Sequence, residues 1–430
     1  MRNCARSAQR AGRRVKEQFL TRLKTPMDAE PADRQPRVAF VSGLGLGGAT
    51  TFLCYLAGEL VRRSIPVIII SPEKENAYAA DFQASGVKVI LHDDRRMIFE
   101  DRMDAIMRTL ADFRPATVIS CLGQASYEVL RYLPAGVRRF AMIQADHPMF
   151  YEAVAPYAEH IDGIVGVSRQ ITTRLEEMDV FRTALKLYLP YGVAMPPHFQ
   201  PREINDRPLR LLYFGRLVND QKRVHLFPAI LAGLQKARIP FQWTIVGEGD
   251  QRANLERSMQ SGVPGQQITV SRAVSYTRVP GLLHDHDVFL LSSDSEGLPL
   301  SLLEAMGHGL VPVISDLASG VRDVVDASNG ILVPINDVEG YAQAIIHLHH
   351  HRSELAAKSA AAHARVQAEF SVAAMTDRWL RVLFQAQIQK ASWPSRQHIR
   401  PPKDLSKHPC FWPAWRPLRR LVKAIAPSKH

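Results

Sequence analysis

The sequence has few cysteines, and they are not spaced as a shared site would require. The four are Cys4, Cys54, Cys121 and Cys410. This scatter argues against a disulfide framework and against a zinc site, and it fits a reducing compartment. The sequence therefore predicts a cytoplasmic protein with no bound metal.

Long hydrophobic runs are also missing. No apolar stretch reaches the roughly 18–20 residues that a membrane-spanning helix needs. Residues 1–24 carry eight basic residues and one acidic residue, but no apolar segment follows them. Because a secretory signal requires such a segment, we expect neither a transmembrane helix nor a cleaved leader.

The formal net charge of +12 is concentrated at the two ends of the chain. Residues 1–24 carry a net charge of +7, and residues 391–430, with nine basic residues and one acidic residue, carry +8. Residues 25–390 therefore carry −3. Enzymes that act on nucleic acid usually place basic residues along the binding face, so a nearly neutral body argues against a nucleic-acid substrate.

The two basic tails have compositions typical of membrane-surface segments. Residues 13–24 form an amphipathic helical pattern, and residues 409–426 combine Trp412 and Trp415 with four basic residues. Each basic residue near an anionic bilayer contributes about 1 kcal/mol. This composition favours a peripheral location at the inner face of the cytoplasmic membrane. The alternatives are that the tails are solvated or disordered, or that they bind RNA.

Short β-branched runs separated by amphipathic stretches recur through the body of the chain, which predicts parallel strands buried on both faces. In the first half, strands are expected at Val38–Ser42, Val67–Ser71, Val87–Leu91, Thr117–Ser120, Phe140–Gln144 and Gly163–Gly166. In the second half, they are expected at Arg210–Phe214, Gln242–Val246, Ile268–Val270, Val288–Leu291 and Val311–Ile314. The predicted fold class is α/β, with two doubly wound, Rossmann-like domains joined near residue 200 and facing each other across a ligand-binding cleft.

The segment after the strand at Val288–Leu291 carries the sharpest motif, SSDSEGLPLSLLEAMG. Pro299 favours the first turn of a helix, so Glu296 should lie on a loop and Glu304 inside that helix. Free amides at a helix start bind anions. Such a turn can bind a diphosphate while the two carboxylates accept hydrogen bonds from sugar and ribose hydroxyls. The alternative is two surface glutamates beside a core helix.

The longer stretch SEGLPLSLLEAMGHGLVPVIS resembles the Glu-x7-Glu signature of the family 4 glycosyltransferases of the GT-B fold. The resemblance covers residues 209–335 in order. It includes Leu212–Leu217 with Lys222, Ile245–Gly249, Asp316, Gly320–Val325 and Gly330–Pro334. It implies a retaining transfer of a sugar from a nucleotide-diphosphate sugar to a hydroxyl acceptor, with front-side departure of the leaving group.

The resemblance also implies residue roles. Arg216 and Lys222 would bind the donor diphosphate, although the family usually spaces this pair one residue closer, where this chain has the uncharged Gln221. Glu296 would bind the transferred sugar and Glu304 the ribose. No metal ion and no cofactor is implied, since the nucleotide-sugar is a substrate. Further donor contacts are expected at Gly297, Leu298, Pro299 and Leu300.

The first half carries a weaker motif, the glycine loop Gly43–Gly48 after the first strand. This loop satisfies the dinucleotide fingerprint, but that fingerprint needs an acidic residue ending the second strand, and Glu73 is poorly placed for it. The resemblance instead places Gly47 and Gly48 near the donor, and His147, which follows another strand, near the transferred sugar. An NAD-dependent oxidoreductase remains the alternative for this loop.

Two other segments look like metal sites. Asp285-His286-Asp287 resembles a metal-binding Asp-x-Asp, and residues 347–351 contain four histidines. The resembled family has a structural Asp before this strand, so we expect a capping role for the first segment and a solvated histidine face for the second.

The predicted organisation follows from the motifs and from the late helix that the GT-B fold returns to its first domain. Its segments are a basic N-terminal tail (1–36), an acceptor-side domain (37–195), a linker (196–208), a donor domain (209–368), the returning helix (369–390) and a basic tail (391–430). The tails suggest a membrane-associated glycan or glycolipid as acceptor. A non-catalytic, membrane-docked nucleotide-sugar binder is the remaining rival.

Overall fold

The computed structural model describes residues 36–384, apart from 46, 74–75, 77, 93–97, 201, 203–205, 261–263 and 276–277. Both basic tails, and with them the proposed membrane contacts, lie outside the described residues. Contacts divide the described residues into two units: one with residues 36–166, Thr172–Leu189 and residues 376–384, the other with Val167–Ile171 and Pro190–Met375. The finer domain limits, including the linker at 196–208, stay predictions. Among the described helices, none has the length and apolar character needed to cross a bilayer.

The first unit is built on a parallel sheet. Its strands, within the described residues, are β1 (Val38–Ser42), β2 (Val67–Ser71), β3 (Lys88–Leu91), β4 (Thr117–Leu122), β5 (Arg138–Ile143), β6 (Gly163–Gly166) and β7 (Leu185–Tyr188). Their order is β3-β2-β1-β4-β5-β6-β7, and all neighbouring pairs are parallel. This order starts in the middle of the sheet and winds both ways, as in dinucleotide-binding folds.

Helices connect these strands. They are α1 (Gly48–Arg62), α2 (Ala79–Ala84), α3 (Phe99–Phe113), α4 (Gln124–Glu128), α5 (Pro148–Val154) and α6 (Arg169–Glu177), with short 3-10 helices at Val129–Arg131, Ala155–His160 and Asp179–Phe181. In α1, Phe52, Leu56 and Leu60 recur every four residues and are fully buried. That spacing places them on one helical face, which covers the sheet.

The second unit contains a second parallel sheet. The strands that the structure describes there are β8 (Leu209–Phe214), β9 (Phe241–Val246), β10 (Gln266–Ser271), β11 (Val288–Leu291), β12 (Val311–Ser315) and β13 (Ile331–Val333). The helices are α7 (Phe227–Ala237), α8 (Arg252–Ser258), α9 (Val279–His284), α10 (Leu300–Gly307), α11 (Gly320–Val324), α12 (Val338–His350), α13 (Arg352–Glu369) and α14 (Val372–Phe384), with a 3-10 helix at Val224–Leu226.

The strand order in this sheet, β10-β9-β8-β11-β12-β13, places β8 beside β11 at its centre. The two strands pair in parallel, with Val288 opposite Leu211 and Phe289 opposite Leu212. The loops that follow them therefore leave the same edge of the sheet, at the point where the strand order reverses. Ligands of doubly wound folds bind at this point.

Two strands were not predicted from the sequence. β7 has a mixed burial pattern, with Leu187 buried and its neighbours half-buried, and β13 is only three residues long. Both lie at the edge of their sheet. β7 is interrupted by Lys186 and therefore lacks the continuous apolar run on which the other predictions depended, while the run of β13 is too short to indicate a strand on its own.

The last described helix, α14, starts in the second unit and ends in the first. Trp379 is fully buried, with its ring 6.5 Å from that of Phe40 in β1 and 6.4 Å from that of Phe52 in α1. Arg138 in β5 donates hydrogen bonds to the carbonyls of Val382 (2.7 Å) and Leu383. The C-terminal half of α14 is thus packed against Phe40 and Phe52. Arg138 caps the end of the helix, since cations interact favourably with the last carbonyls of a helix.

A buried ion pair anchors the start of β8 beside β11. Asp287 is completely buried, and both of its carboxylate oxygens accept hydrogen bonds of 2.7 Å from Arg207. It also accepts a 3.0 Å bond from the Arg210 amide. Burial alone would raise the pKa of the Asp287 carboxyl, but the hydrogen bonds from Arg207 and Arg210 outweigh it and lower that pKa. Asp287 is therefore a structural residue whose oxygens are occupied by Arg207.

Candidate functional site

The loop after β11 carries the motif that the sequence singled out. β11 is fully buried, and Pro299 is the N-cap of α10, with the helix starting at Leu300. The sequence placed Pro299 inside the first turn, so the helix starts slightly later than predicted. Glu296 lies on the loop and Glu304 is the fifth residue of the helix, and both are 8% exposed. The two carboxylates thus lie on either side of the turn.

Glu296 is bonded to neighbours from two loops. Its Oε1 accepts a hydrogen bond from Lys222 Nζ at 2.5 Å and another from Ser293 Oγ at 2.7 Å. Lys222 belongs to the segment after β8, and its side chain is only 12% exposed. A charge-assisted bond with limited solvent access is stronger than a surface ion pair, so Glu296 and Lys222 hold each other in place.

Arg216 joins the same cluster through an uncharged side chain. Its guanidinium donates to Gln221 Oε1, while Gln221 Nε2 donates to the carbonyl of Ser295 (2.9 Å) and, at 3.5 Å, to Glu296 Oε2. Arg216 itself is exposed. Arg216, Lys222 and Glu296 are therefore linked by hydrogen bonds, and the exposed guanidinium retains donors for an anionic ligand.

The backbone fixes the two loops against each other. Asp294 N–H donates to the Gln221 carbonyl at 3.1 Å, and Ser292 Oγ donates to the Lys222 carbonyl at 2.9 Å. Arg223 and Asp294 form an ion pair of 2.9 Å beside them. This double attachment holds the segment 221–223 on the segment 292–296.

Beneath this cluster, Tyr213 supports the backbone of Arg216. The buried hydroxyl of Tyr213 donates a 2.6 Å hydrogen bond to the Arg216 carbonyl. Burial raises the pKa of the Tyr213 phenol, and the nearby Glu296 carboxylate adds to the rise. Tyr213 therefore remains protonated and acts as a hydrogen-bond donor.

At two positions near the site the backbone passes so close to another loop that only glycine fits. A Cβ on Gly247 would lie 1.9 Å from the carbonyl oxygen of Gly215, so only glycine lets the loops after β8 and β9 meet. A Cβ on Gly320 would lie 2.5 Å from the carbonyl oxygen of Gly297. The Gly320 amide instead donates a 2.7 Å hydrogen bond to that oxygen, which fixes the loop before α10.

The other predicted donor residues of this loop come immediately after Glu296 in the sequence. Leu298 and Leu300 are buried, at 3% and 7% exposure, so their side chains are part of the packing and leave only backbone atoms for a ligand. The predicted donor residues of the second unit thus lie in one loop and its helix, or are linked to that loop by hydrogen bonds, Lys222 directly and Arg216 through Gln221. They are Arg216, Lys222, Glu296, Gly297, Leu298, Pro299, Leu300 and Glu304.

The remaining predicted residues belong to the first unit. Gly47 is the N-cap of α1, Gly48 is its first residue, and both are exposed. His147 is the exposed N-cap of α5, where its Nδ1 accepts a 3.3 Å hydrogen bond from the Met149 amide. Their roles toward a donor stay predictions.

Sequence reasoning missed the polar residues that link the cluster. Gln221 was noted only as an uncharged substitute for lysine, and Ser293 was not considered, yet both bond to Glu296. The only sequence signal was their position next to residues already chosen. Contacts between side chains 75 positions apart, as for Gln221 and Glu296, cannot be read from local pattern.

The segments that resembled metal sites have other partners. Asp287 is bonded to Arg207, and His286 bonds to Thr244 and to the Leu282 carbonyl. His347 pairs with Glu354 at 2.7 Å. Within the described parts of the chain, no group of three or more His, Cys, Asp or Glu side chains could hold a metal ion.

Comparison with known proteins finds similarity to glycosyltransferases. Residues 208–351 match the family model described as glycosyl transferases group 1. Over 177 residues, the chain is 29% identical to the amylovoran biosynthesis glycosyltransferase AmsK of Erwinia amylovora, covering 40% of this chain and 43% of AmsK. Over 209 residues, it is 27% identical to the lipopolysaccharide 1,6-galactosyltransferase of Salmonella typhimurium, covering 47% of this chain and 56% of that protein. The matches thus span about half or less of these relatives.

Solved structures with little sequence identity share the fold. TarM of S. aureus, in complex with Fondaparinux, alpha-GlcNAc-glycerol and UDP, has a TM-score of 0.66 at 13% identity, covering 81% of this chain and all of that one. HepE of Anabaena in complex with UDP-glucose has a TM-score of 0.64 at 14% identity, covering 81% and 99%. These likenesses confirm the predicted fold class of two Rossmann-like α/β domains of the GT-B type.

Proposed function

We propose that this protein is a glycosyltransferase that moves a sugar from a nucleotide-diphosphate sugar to a hydroxyl acceptor. The observation that carries the proposal is the cluster of Arg216, Lys222 and Glu296 at the switch point of the second sheet. It combines two cations suited to a diphosphate with a carboxylate suited to sugar hydroxyls. The match of residues 208–351 to the glycosyl transferases group 1 model and the similarity to AmsK support this reading.

The proposed chemistry is electrostatic. As the bond between the anomeric carbon and the diphosphate oxygen breaks, negative charge grows on the leaving diphosphate, and Arg216 and Lys222 stabilise it. Charge-assisted hydrogen bonds of this kind contribute about 1.5–3 kcal/mol each. The two side chains supply the positive charge, so we propose a reaction without a metal ion. Release of nucleoside diphosphate should then persist in excess EDTA.

We further propose that the transfer retains the anomeric configuration, as in the family 4 enzymes that the sequence resembles. The acceptor oxygen bonds to the anomeric carbon on the face from which the diphosphate leaves, and the leaving phosphate takes the acceptor proton. Glu296 would bind the transferred sugar, Glu304 the ribose, and His147 the sugar as well. Product configuration measured by NMR would test retention, and inversion would exclude it.

We propose a glycan or glycolipid as the acceptor and polysaccharide or lipopolysaccharide biosynthesis as the context. The support is the nature of the relatives, which include an amylovoran glycosyltransferase and a lipopolysaccharide galactosyltransferase. The structures of TarM and HepE that share the fold contain UDP or UDP-glucose. A UDP-sugar is therefore the first donor to test, followed by GDP- and ADP-linked sugars.

A thermal-shift screen with UDP-, GDP- and ADP-hexoses and NAD tests the proposed donor site. One nucleotide-sugar should raise Tm, because a ligand at 100 times its Kd stabilises the folded state by about 2.7 kcal/mol. Arg216→Ala should weaken this shift, whereas Arg257→Ala, which removes an exposed arginine of the same unit, should leave it unchanged. A shift with NAD alone would favour the oxidoreductase alternative, and binding without any turnover would favour a non-catalytic binder.

The basic tails are proposed to hold the protein at an anionic membrane surface, at the inner face of the cytoplasmic membrane. Their support is composition alone, with net charges of +7 and +8 at the two ends. The full chain should sediment with vesicles containing anionic lipid and release them in high salt, because surface attraction is screened. A variant that lacks residues 1–24 and 391–430 and still sediments would contradict this proposal.

A further inference from the structure

Gln221 occupies the centre of the candidate donor site. Its amide nitrogen donates to the Ser295 carbonyl and to Glu296, and its amide oxygen accepts from Arg216. Its own backbone carbonyl accepts a 3.1 Å hydrogen bond from the Asp294 amide. The side chain and the backbone of Gln221 therefore both form hydrogen bonds that join the loop after β8 to the loop after β11.

The chemistry of the two neighbours restricts which side chain can stand between them. A guanidinium has only hydrogen-bond donors, and an ionised carboxylate has only acceptors. A residue that contacts both must present an acceptor to Arg216 and a donor to Glu296, as a primary amide does. A glutamate at this position would repel Glu296, and a lysine could bond to Glu296 but would offer no acceptor to Arg216.

The neutral amide also preserves the charges of the site. Glu296 Oε1 is bonded to Lys222 and Ser293, while Oε2 meets Gln221 at the long distance of 3.5 Å, so Oε2 retains accepting capacity for a sugar hydroxyl. Arg216 uses one of its five N–H donors on Gln221 and remains exposed. Gln221 thus orients both charged groups without neutralising either.

We infer that Gln221 is a positioning residue for sugar transfer, which sets the placement of Arg216 against Glu296; this inference rests on the proposed function. Both neighbours act on the transition state, one on the leaving diphosphate and the other on the sugar. Misplacing groups by about 1 Å can reduce turnover on the order of 100-fold. Loss of Gln221 should therefore reduce kcat more than it changes the KM for the donor.

The test uses two substitutions and the donor that the wild-type full chain hydrolyses in a panel of UDP-, GDP- and ADP-hexoses, with water as acceptor. Gln221→Met keeps the approximate shape but removes all three side-chain hydrogen bonds, and it should lower kcat roughly 10- to 100-fold with KM within about threefold. Gln221→Glu keeps the bond to Arg216 but places a second carboxylate beside Glu296. The acid limb of its pH–rate profile should move up by about one pH unit, because like charges disfavour ionisation.

The expected shift of the acid limb in Gln221→Glu comes from the charge added at position 221. Groups that face or adjoin the Glu296 carboxylate are Lys222, Arg216, Tyr213, Arg223 and Asp294. None of them is changed in Gln221→Glu. A merely structural role would lower the Tm of Gln221→Met but leave its kcat, measured well below Tm, near the wild-type value, so Tm and kcat are measured together. In Gln221→Met the acid limb should stay at its wild-type position.

Gln235 provides the matched control, since it is a half-buried glutamine of the same unit that donates to a backbone carbonyl, that of Gln260, at 3.3 Å. Gln235→Met and Gln235→Glu should keep wild-type kcat and pH profile. If the wild-type protein cleaves a donor and the Gln221 variants match it, only this inference is overturned. If the wild-type protein cleaves no donor, the proposed function is overturned and this inference with it.

Discussion

Replacing Glu296 by glutamine is expected to lower kcat roughly 10²- to 10³-fold while the protein stays folded. The amide is nearly isosteric, but it has no negative charge, so the pairing with Lys222 is lost and a sugar hydroxyl meets a weaker acceptor. Since Glu296 is buried on a loop fixed by backbone hydrogen bonds, the substitution should not move its neighbours. Release of nucleoside diphosphate in steady state measures the effect.

Arg216→Ala is expected to reduce kcat by a similar factor, roughly 10²–10³, because it removes charge stabilisation of the leaving diphosphate. Glu256→Gln serves as the control: Glu256 is an ion-paired glutamate of the same unit, 41% exposed and bonded to Arg252. It should turn over normally. Near-normal turnover of both Glu296→Gln and Arg216→Ala would remove these residues from the active site.

Asp287→Ala is expected to destabilise the second unit by about 3 kcal/mol. Removing one partner of a buried ion pair leaves the other charge uncompensated, which costs about 3–5 kcal/mol; we take the lower end because Arg207 is 30% exposed. Urea unfolding at pH 7, followed by the fluorescence of the tryptophans, which include the buried Trp243 of this unit, measures the change.

The pH dependence of this effect has a definite sign. Because the pKa of Asp287 is lowered in the folded protein, its contribution is fully present above the unfolded-state pKa of about 3.9. It is lost as the pH falls below that value and through the folded pKa. Asp285→Ala, at an exposed neighbouring position, should change stability by less than about 0.5 kcal/mol. Equal unfolding midpoints for both variants would contradict a structural role of Asp287.

The core of the fold could be predicted from the sequence because central parallel strands are buried on both faces. β1 and β11, for example, are continuous apolar runs whose predicted bounds agree with the structure. β7 was missed because Lys186 interrupts its apolar residues, and β13 because it has only three residues. Local composition predicts a strand only where an apolar run is long enough and uninterrupted.

The candidate site could be predicted in part. Glu296, Arg216 and Lys222 were identified because their residue types recur in a known motif, and the structure links all three by hydrogen bonds. The bridging role of Gln221 could not be predicted, since it depends on the pairing of β8 with β11 and on the course of two loops. The family pattern has a charged lysine where this chain has the amide of Gln221, and only the three-dimensional structure shows that this amide connects Arg216 with Glu296.

A crystal structure of the full chain with a nucleoside diphosphate, beginning with UDP, tests the central claim most directly. The account predicts diphosphate oxygens within hydrogen-bonding distance of Arg216 and Lys222, and a ribose hydroxyl on Glu304. A nucleotide bound instead on the Gly43–Gly48 loop, or a diphosphate beyond the reach of both cations, would contradict it.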